Sequence, residues 1–223
     1  MSELRDQPEI WPVSDRTILG EGVVQTFLND DVTTPTGETM RRQYTRHPGA
    51  VAILAWNNDD EVAVITQYRH PVGFKLVEIP AGILDHPGED GLEAAKRELA
   101  EEAALEASDW RVLLDFFSSP GAGGESVRVY LARGLRSVPR PAGFVLEDEE
   151  ADMKLFWVPR SELVDGIFEL RFQSPSLVQG VLALETARLS GRLDSLASPS
   201  APWPAREQKA KLDALLPGVA GTL

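Results

Sequence analysis

Glu98, Glu101 and Glu102 stand at helical neighbour spacing in "PAGILDHPGEDGLEAAKRELAEEAAL", residues 80–105. At about 100° per residue they share one arc of a helix, roughly a quarter turn from a stripe of Leu92, Ala95, Leu99 and Ala103. Like charges so spaced cost a helix a few tenths of a kcal/mol each, roughly, and Arg97 offsets only part of that. The bland interpretation is a solvated helix face. The chemical one is a seat for a hard divalent cation such as Mg²⁺, which takes oxygen ligands and reverses the sign of the crowding. A tight turn, "IPAGI", precedes the helix by about ten residues, where Gly82 permits close backbone approach and the Ala81 carbonyl offers a further oxygen. Asp90 is the expected N-cap, with Glu93 as its capping-box partner.

The surrounding elements must hold that helix in place. Residues 1–16 are expected to form a loose arm, followed by strands at 23–30 and 39–47 joined through Pro35 and Gly37. "GAVAILAW" (49–56) and "EVAVITQYR" (61–69) are expected as a buried hairpin. Further strands are expected at 74–80, 109–119, 125–135 and 153–159, and helices at 89–103 and 174–191. The stretch 195–205 has linker composition, and a frayed terminal helix is expected beyond it. Strands mixed with two distant helices predict an α/β fold, with helices on both faces of a mixed sheet.

The chain's 223 residues, with a hydrophobic share of 43%, suit one main domain with an accessory element. A formal charge of −13 argues against nucleic acid and anionic membranes as partners, so a polyanionic substrate needs local arginines or bound metal. The chain has no cysteine, which excludes disulfides and thiolate chemistry and fits a cytoplasmic protein. Its polar N-terminus lacks signal-peptide character, its longest apolar run is too short to span a bilayer, and His47, His70 and His86 show no zinc-site spacing.

The stretch resembles the Nudix box, matching at Gly82, Glu89, Arg97, Glu98, Leu99, Glu101, Glu102 and Leu105. Two positions depart from that pattern: six residues separate Gly82 from Glu89 where five are usual, and Ala104 replaces the closing glycine. "QYRH" (67–70), "EIPAG" (78–82), "SSPG" (118–121), "EEADM" (149–153) and Pro120 are similar to the ADP-ribose pyrophosphatase branch. The resemblance implies a Nudix-type α/β/α sandwich over 48–195, with a small N-terminal antiparallel β element over 1–47 that forms a homodimer, and a tail over 196–223. It implies Mg²⁺, with Mn²⁺ as a substitute, held by Glu98, Glu101, Glu102 and the Ala81 carbonyl. Glu149 is then the base, with Glu150 the alternative and Glu101 sharing catalytic duty.

By the same resemblance Arg69 clamps phosphate, Arg42 reaches substrate across a dimer, and Glu78 and Glu125 accept ribose hydroxyls. Gly82 lines the substrate site. Where the branch stacks adenine on an aromatic, this chain has Gln25, and Phe27 is the nearest substitute. The implied reaction is hydrolysis of ADP-ribose to AMP and ribose 5-phosphate. Another nucleotide sugar or NADH is the competing substrate, and a non-catalytic ADP-ribose sensor is the competing class.

Overall fold

The computed structural model describes residues 4–86, 88–146 and 150–214. The chain forms two compact units, one from described residues 4–49, 117–126 and 202–214, the other from 50–116, 127–146 and 150–201.

In the first unit, β1 (Val13–Glu21), β2 (Thr26–Thr33) and β3 (Thr39–Arg46) make an antiparallel sheet in that order. Two expectations are corrected. Residues 13–16 are not a loose arm: they open β1, where Arg16 is held by Asp30 opposite it. The second strand starts at Thr26 rather than 23, because Gly22 N–H donates to the Gln25 carbonyl at 2.8 Å and takes 23–25 into a turn. The β2–β3 turn closes through Gly37 at φ 86, a conformation that glycine adopts without cost. A terminal helix, Pro204–Ala214, completes the unit, with Asp213 paired to Arg46 at 2.9 Å. Trp203, just before it, is buried.

The second unit holds two sheets. β4 (Ala50–Ala55), β7 (Ala81–Ile83), β8 (Leu105–Phe117) and β9 (Ser126–Ser137) run in the order β7-β4-β9-β8. β5 (Glu61–Arg69), β6 (Phe74–Glu78) and β10 (Lys154–Pro159) run in the order β10-β5-β6. β4 is parallel to β9 and antiparallel to β7, so the sheet is mixed. Ion pairs Glu106–Arg136, Asp109–Arg133 and Asp115–Arg128 descend along one strand as they climb the other, so β8 and β9 are antiparallel. The expected β4–β5 hairpin does not form. Both edges of β4 are taken by β7 and β9, leaving it only an isolated bridge, Trp56–Val62, to the start of β5.

Every β4 residue is buried, which demands cover on both faces. Ala50, Ala52 and Leu54 join a core with Leu163 of α2 (Arg160–Phe168) and Leu177, Val181 and Leu184 of α3 (Pro175–Leu189). Val51 and Ile53 point the other way, and α1 (Gly91–Ala103) packs on β4 and β7 with Ala94, Ala95 and Leu99 fully buried. The result is the expected α/β class with helices on two faces. α2 is an addition to the sequence-derived elements; Pro159 precedes it and supplies no side-chain cap.

Asp90 caps α1 by accepting from Leu92 N–H at 2.8 Å. The capping box does not close, because Glu93 is drawn to Lys96 at 2.7 Å instead. The helix leaves through Ala104 at φ 54 and ψ 42, the left-handed exit that normally selects glycine.

Candidate active site

Three backbone features bring the acidic residues together in the second unit. α1 packs on β7 through its alanine and leucine stripe, which turns the glutamate arc toward the Pro80–Gly82 turn. Ala81 N–H donates to Glu102 Oε2 at 2.8 Å, anchoring that carboxylate although only 4% of the residue is exposed. Gly82 lies against Glu98: a Cβ at position 82 would fall 1.9 Å from Glu98 Oε1 and 2.0 Å from its Cδ. Gly82 therefore leaves room for the carboxylate that sits there, which a side chain at this position would push aside, and its own backbone angles do not call for glycine.

Arg97 is the counter-charge to this arc. Its guanidinium donates to Glu98 at 2.6 Å, to Glu101 at 3.0 Å, and to both oxygens of Glu89 at 3.1 and 3.2 Å. That is one cation shared by three acids. Burial pushes the Glu98 carboxyl up to about 7; Arg97 pulls against it, and Glu101 and Glu150 add to it. Burial raises Glu102 well above the usual carboxylate range. The Ala81 N–H opposes that rise, and the Glu98 and Glu150 charges reinforce it. Glu150 is raised too, by burial first, with Arg69 lowering it and Glu101 raising it.

The group is thus short of positive charge, and its donors are all hard oxygens. A divalent cation fits that chemistry, and the seat cleared by Gly82 supports it. Among the described residues no three acidic or histidine side chains converge tightly enough to hold an ion as they stand. Arg97 draws Glu98 and Glu101 to itself instead.

Arg69 ends β5 and pairs with Glu78 at the end of β6, at 2.7 Å from Nη2 and 3.2 Å from Nε to the same oxygen. Its charge reaches Glu102 and Glu150, so Arg69, Glu78, Ala81, Gly82, Glu98, Glu101, Glu102 and Glu150 make up one neighbourhood. Glu149, the first-choice base, lies outside the described residues.

Arg42, Phe27 and Glu125 belong to the first unit. Arg42 lines a cavity of about 530 Å³ with Ile10, Trp11, Val32, Tyr44 and Leu212. Phe27 is not among the lining residues and is 42% exposed. Glu125 accepts from the Ser118 hydroxyl at 2.5 Å and lies 3.6 Å from His47 Nε2. Burial lowers the His47 pKa, against the pull of Glu125.

Two side chains escaped the sequence reading. Trp11 lines the same cavity as Arg42; its signal in the sequence is no more than a tryptophan in an otherwise polar arm. Gln67 is 5% exposed, and its Oε1 has no hydrogen-bond partner among the described residues. It stands in "QYRH", where a glutamine in a strand carries no chemical signal of its own.

Comparison with known proteins agrees with this geometry. A family model described as the NUDIX domain matches residues 45–179. An ADP-ribose pyrophosphatase of Mycobacterium tuberculosis is 42% identical over 166 residues, 74% of this chain and 79% of that protein. A methanol dehydrogenase activator of Bacillus methanolicus is 38% identical over 70% of this chain and 82% of its own. A solved structure described as an ADP compounds hydrolase superposes with a TM-score of 0.65 at 21% identity, covering 85% of this chain and all of that one, a likeness of fold alone.

Proposed function

The chain belongs to the Nudix family, and on that premise we propose that it hydrolyses the pyrophosphate bond of ADP-ribose, releasing AMP and ribose 5-phosphate. The observation that carries this reading is the carboxylate neighbourhood short of positive charge, with Glu98 raised by burial and by Glu101 and Glu150, and Glu102 raised by burial and by Glu98 and Glu150. Glu98, Glu101 and Glu102, with the Ala81 carbonyl, would hold Mg²⁺ or Mn²⁺. A divalent ion there neutralises pyrophosphate charge and makes water more acidic.

The chain's own residues do the rest. Arg69 turns its guanidinium toward the pyrophosphate, with its orientation fixed by Glu78. Burial raises the Glu150 carboxyl, and the Arg69 charge pulls it back toward the ionised form that a base needs. Glu149, the neighbouring loop carboxylate, is the base favoured by resemblance to the family. Arg42 and Trp11 line one cavity of the first unit, a cation and an aromatic ring of the kinds suited to a nucleotide's phosphate and base. The same unit carries exposed Ile18, Leu19, Val23 and Phe27, an apolar set suited to pairing with a second copy of the chain. We place the enzyme in the cytoplasm, in keeping with a chain without cysteine; among the described residues no helix is long and apolar enough to cross a membrane.

The test is turnover of ADP-ribose, ADP-glucose and NADH with Mg²⁺ and with EDTA. Metal-dependent AMP release that is fastest from ADP-ribose is the expected result. Turnover confined to another substrate retains the chemistry and overturns the specificity. Binding of ADP-ribose without any turnover overturns the enzymatic reading.

A further inference from the structure

Gln67 presents a buried acceptor that the described residues leave unused. The residue is 5% exposed, and its Oε1 meets no donor among the described residues. Nearly all buried polar side-chain atoms are paired, and leaving one unpaired costs about 1–3 kcal/mol. Its position is defined by the sheet. Side chains alternate along β5, so Ile65, Gln67 and Arg69 share a face. Across the ladder Ile65 stands opposite Glu78, Gln67 opposite Leu76 and Arg69 opposite Phe74. The Arg69–Glu78 ion pair therefore spans the register position that Gln67 occupies. Glu78 lies three residues before Ala81, whose N–H holds Glu102, which puts the orphaned amide near the carboxylate neighbourhood.

The chemistry of the missing partner follows from the atom. Phosphate oxygens and carboxylates carry lone pairs and repel an amide oxygen, so the partner must be a donor. Next to a pyrophosphate, the donors of a nucleotide sugar are its ribose hydroxyls. We propose that Gln67 is a specificity-determining residue whose side-chain oxygen accepts a hydrogen bond from a ribose hydroxyl of the substrate. This rests on the pyrophosphatase reading above and deepens it. A site that offers a buried acceptor to a hydroxyl discriminates against analogues lacking it, because the acceptor then stays unpaired. Water is the other donor of suitable size, but a water would serve the amide equally with any substrate.

Gln67→Met keeps the shape and removes the acceptor. The full-length variant and wild type would be assayed with Mg²⁺ on three substrates: ADP-ribose, the β-methyl ester of ADP (which lacks the terminal ribose), and the 2′,3′-dideoxyadenosine form of ADP-ribose. The expected result is a fall in kcat/KM on ADP-ribose of about 10- to 100-fold. On one truncated substrate the two proteins should agree within about twofold, which also identifies the ribose concerned. Equal losses on all three substrates, or no loss on ADP-ribose, overturn the proposal. The melting temperature of the variant should equal or exceed that of wild type; a drop together with uniform losses marks a purely structural role. If wild type turns over none of the substrates, the pyrophosphatase reading fails, and thermal shifts decide Gln67 independently. Stabilisation by ribose 5-phosphate or AMP beyond that by inorganic phosphate, lost in Gln67→Met, supports it; identical shifts in both proteins overturn it.

Discussion

Asp30 in the first unit and Glu102 in the second are each 4% exposed, yet their surroundings are opposite. Asp30 accepts from Arg16 Nε at 2.7 Å and Nη2 at 2.8 Å and from the Tyr44 hydroxyl at 3.0 Å. Glu102 has one backbone N–H at 2.8 Å and feels two further carboxylates, against which stands only the charge of Arg69, an arginine already paired to Glu78. A buried charge needs a partner. Asp30 finds its partner within the fold, and its role is to hold β1 on β2. Glu102 does not, and a fold that tolerates this has left the partner to be supplied from outside.

That contrast breaks most sharply by mutation. Asp30→Asn strands the Arg16 guanidinium and should cost about 3–5 kcal/mol of stability by urea titration. Glu102→Gln should do the reverse: stability in EDTA is kept or gained, because repulsion from Glu98 and Glu150 is relieved, while kcat falls by at least about a hundredfold, or about 2.7 kcal/mol of barrier. If Glu102→Gln unfolds the protein instead, the carboxylate is structural and the contrast collapses.

Gly82→Ala tests the seat rather than the charge. Its Cβ would displace the Glu98 carboxylate from a contact of 1.9 Å, so the Mg²⁺ concentration for half-activity should rise roughly tenfold, with little change in the secondary structure seen by circular dichroism. An unchanged metal requirement would remove Glu98 from the ligand set.

Proton linkage sharpens the same comparison. The Glu98 carboxyl sits at about 7 in the folded chain against an ordinary value of 4.5. The folded state therefore binds more protons than the unfolded one between those values, and stability must fall as pH rises through that window. In EDTA the melting temperature should decline from pH 5 to pH 8. Mg²⁺ should restore it at pH 8, and Glu98→Gln should flatten the slope. A flat profile for the wild type would show that the acids are compensated from within.

The smallest effect concerns the helix exit. Ala104 adopts φ 54, and Ala104→Gly should add about 1 kcal/mol by removing the Cβ from the left-handed region. No change in kcat is expected, since the exit already has the geometry that glycine would give.

Local patterns in the chain accounted for α1, its Asp90 cap and its acidic arc, because spacing of three and four along a helix dictates which side chains share a face. They also accounted for β5 at Glu61–Arg69, since a run rich in valine and isoleucine suits a buried strand. Pairing was another matter. "GAVAILAW" and "EVAVITQYR" invite a hairpin by proximity, but β4 is buried throughout and takes β7 and β9, which start 31 and 76 residues after it, as its neighbours. Nothing local to β4 encodes that competition. Trp11 and Gln67 were missed for the same reason: a tryptophan in a polar arm and a glutamine in a strand acquire meaning only from what packs beside them.

By itself the sequence determined the chemistry on offer: oxygen donors in a fixed helical order, one arginine among them, a glycine ahead of them, and a mixed α/β framework. Only the tertiary structure decided how deeply each of those carboxylates is buried, that Gly82 makes room for Glu98, and that the Gln67 oxygen meets no donor among the described residues. Helical order is a property of consecutive residues, whereas burial and hydrogen-bond satisfaction depend on segments distant in the chain, so neither can be read along it.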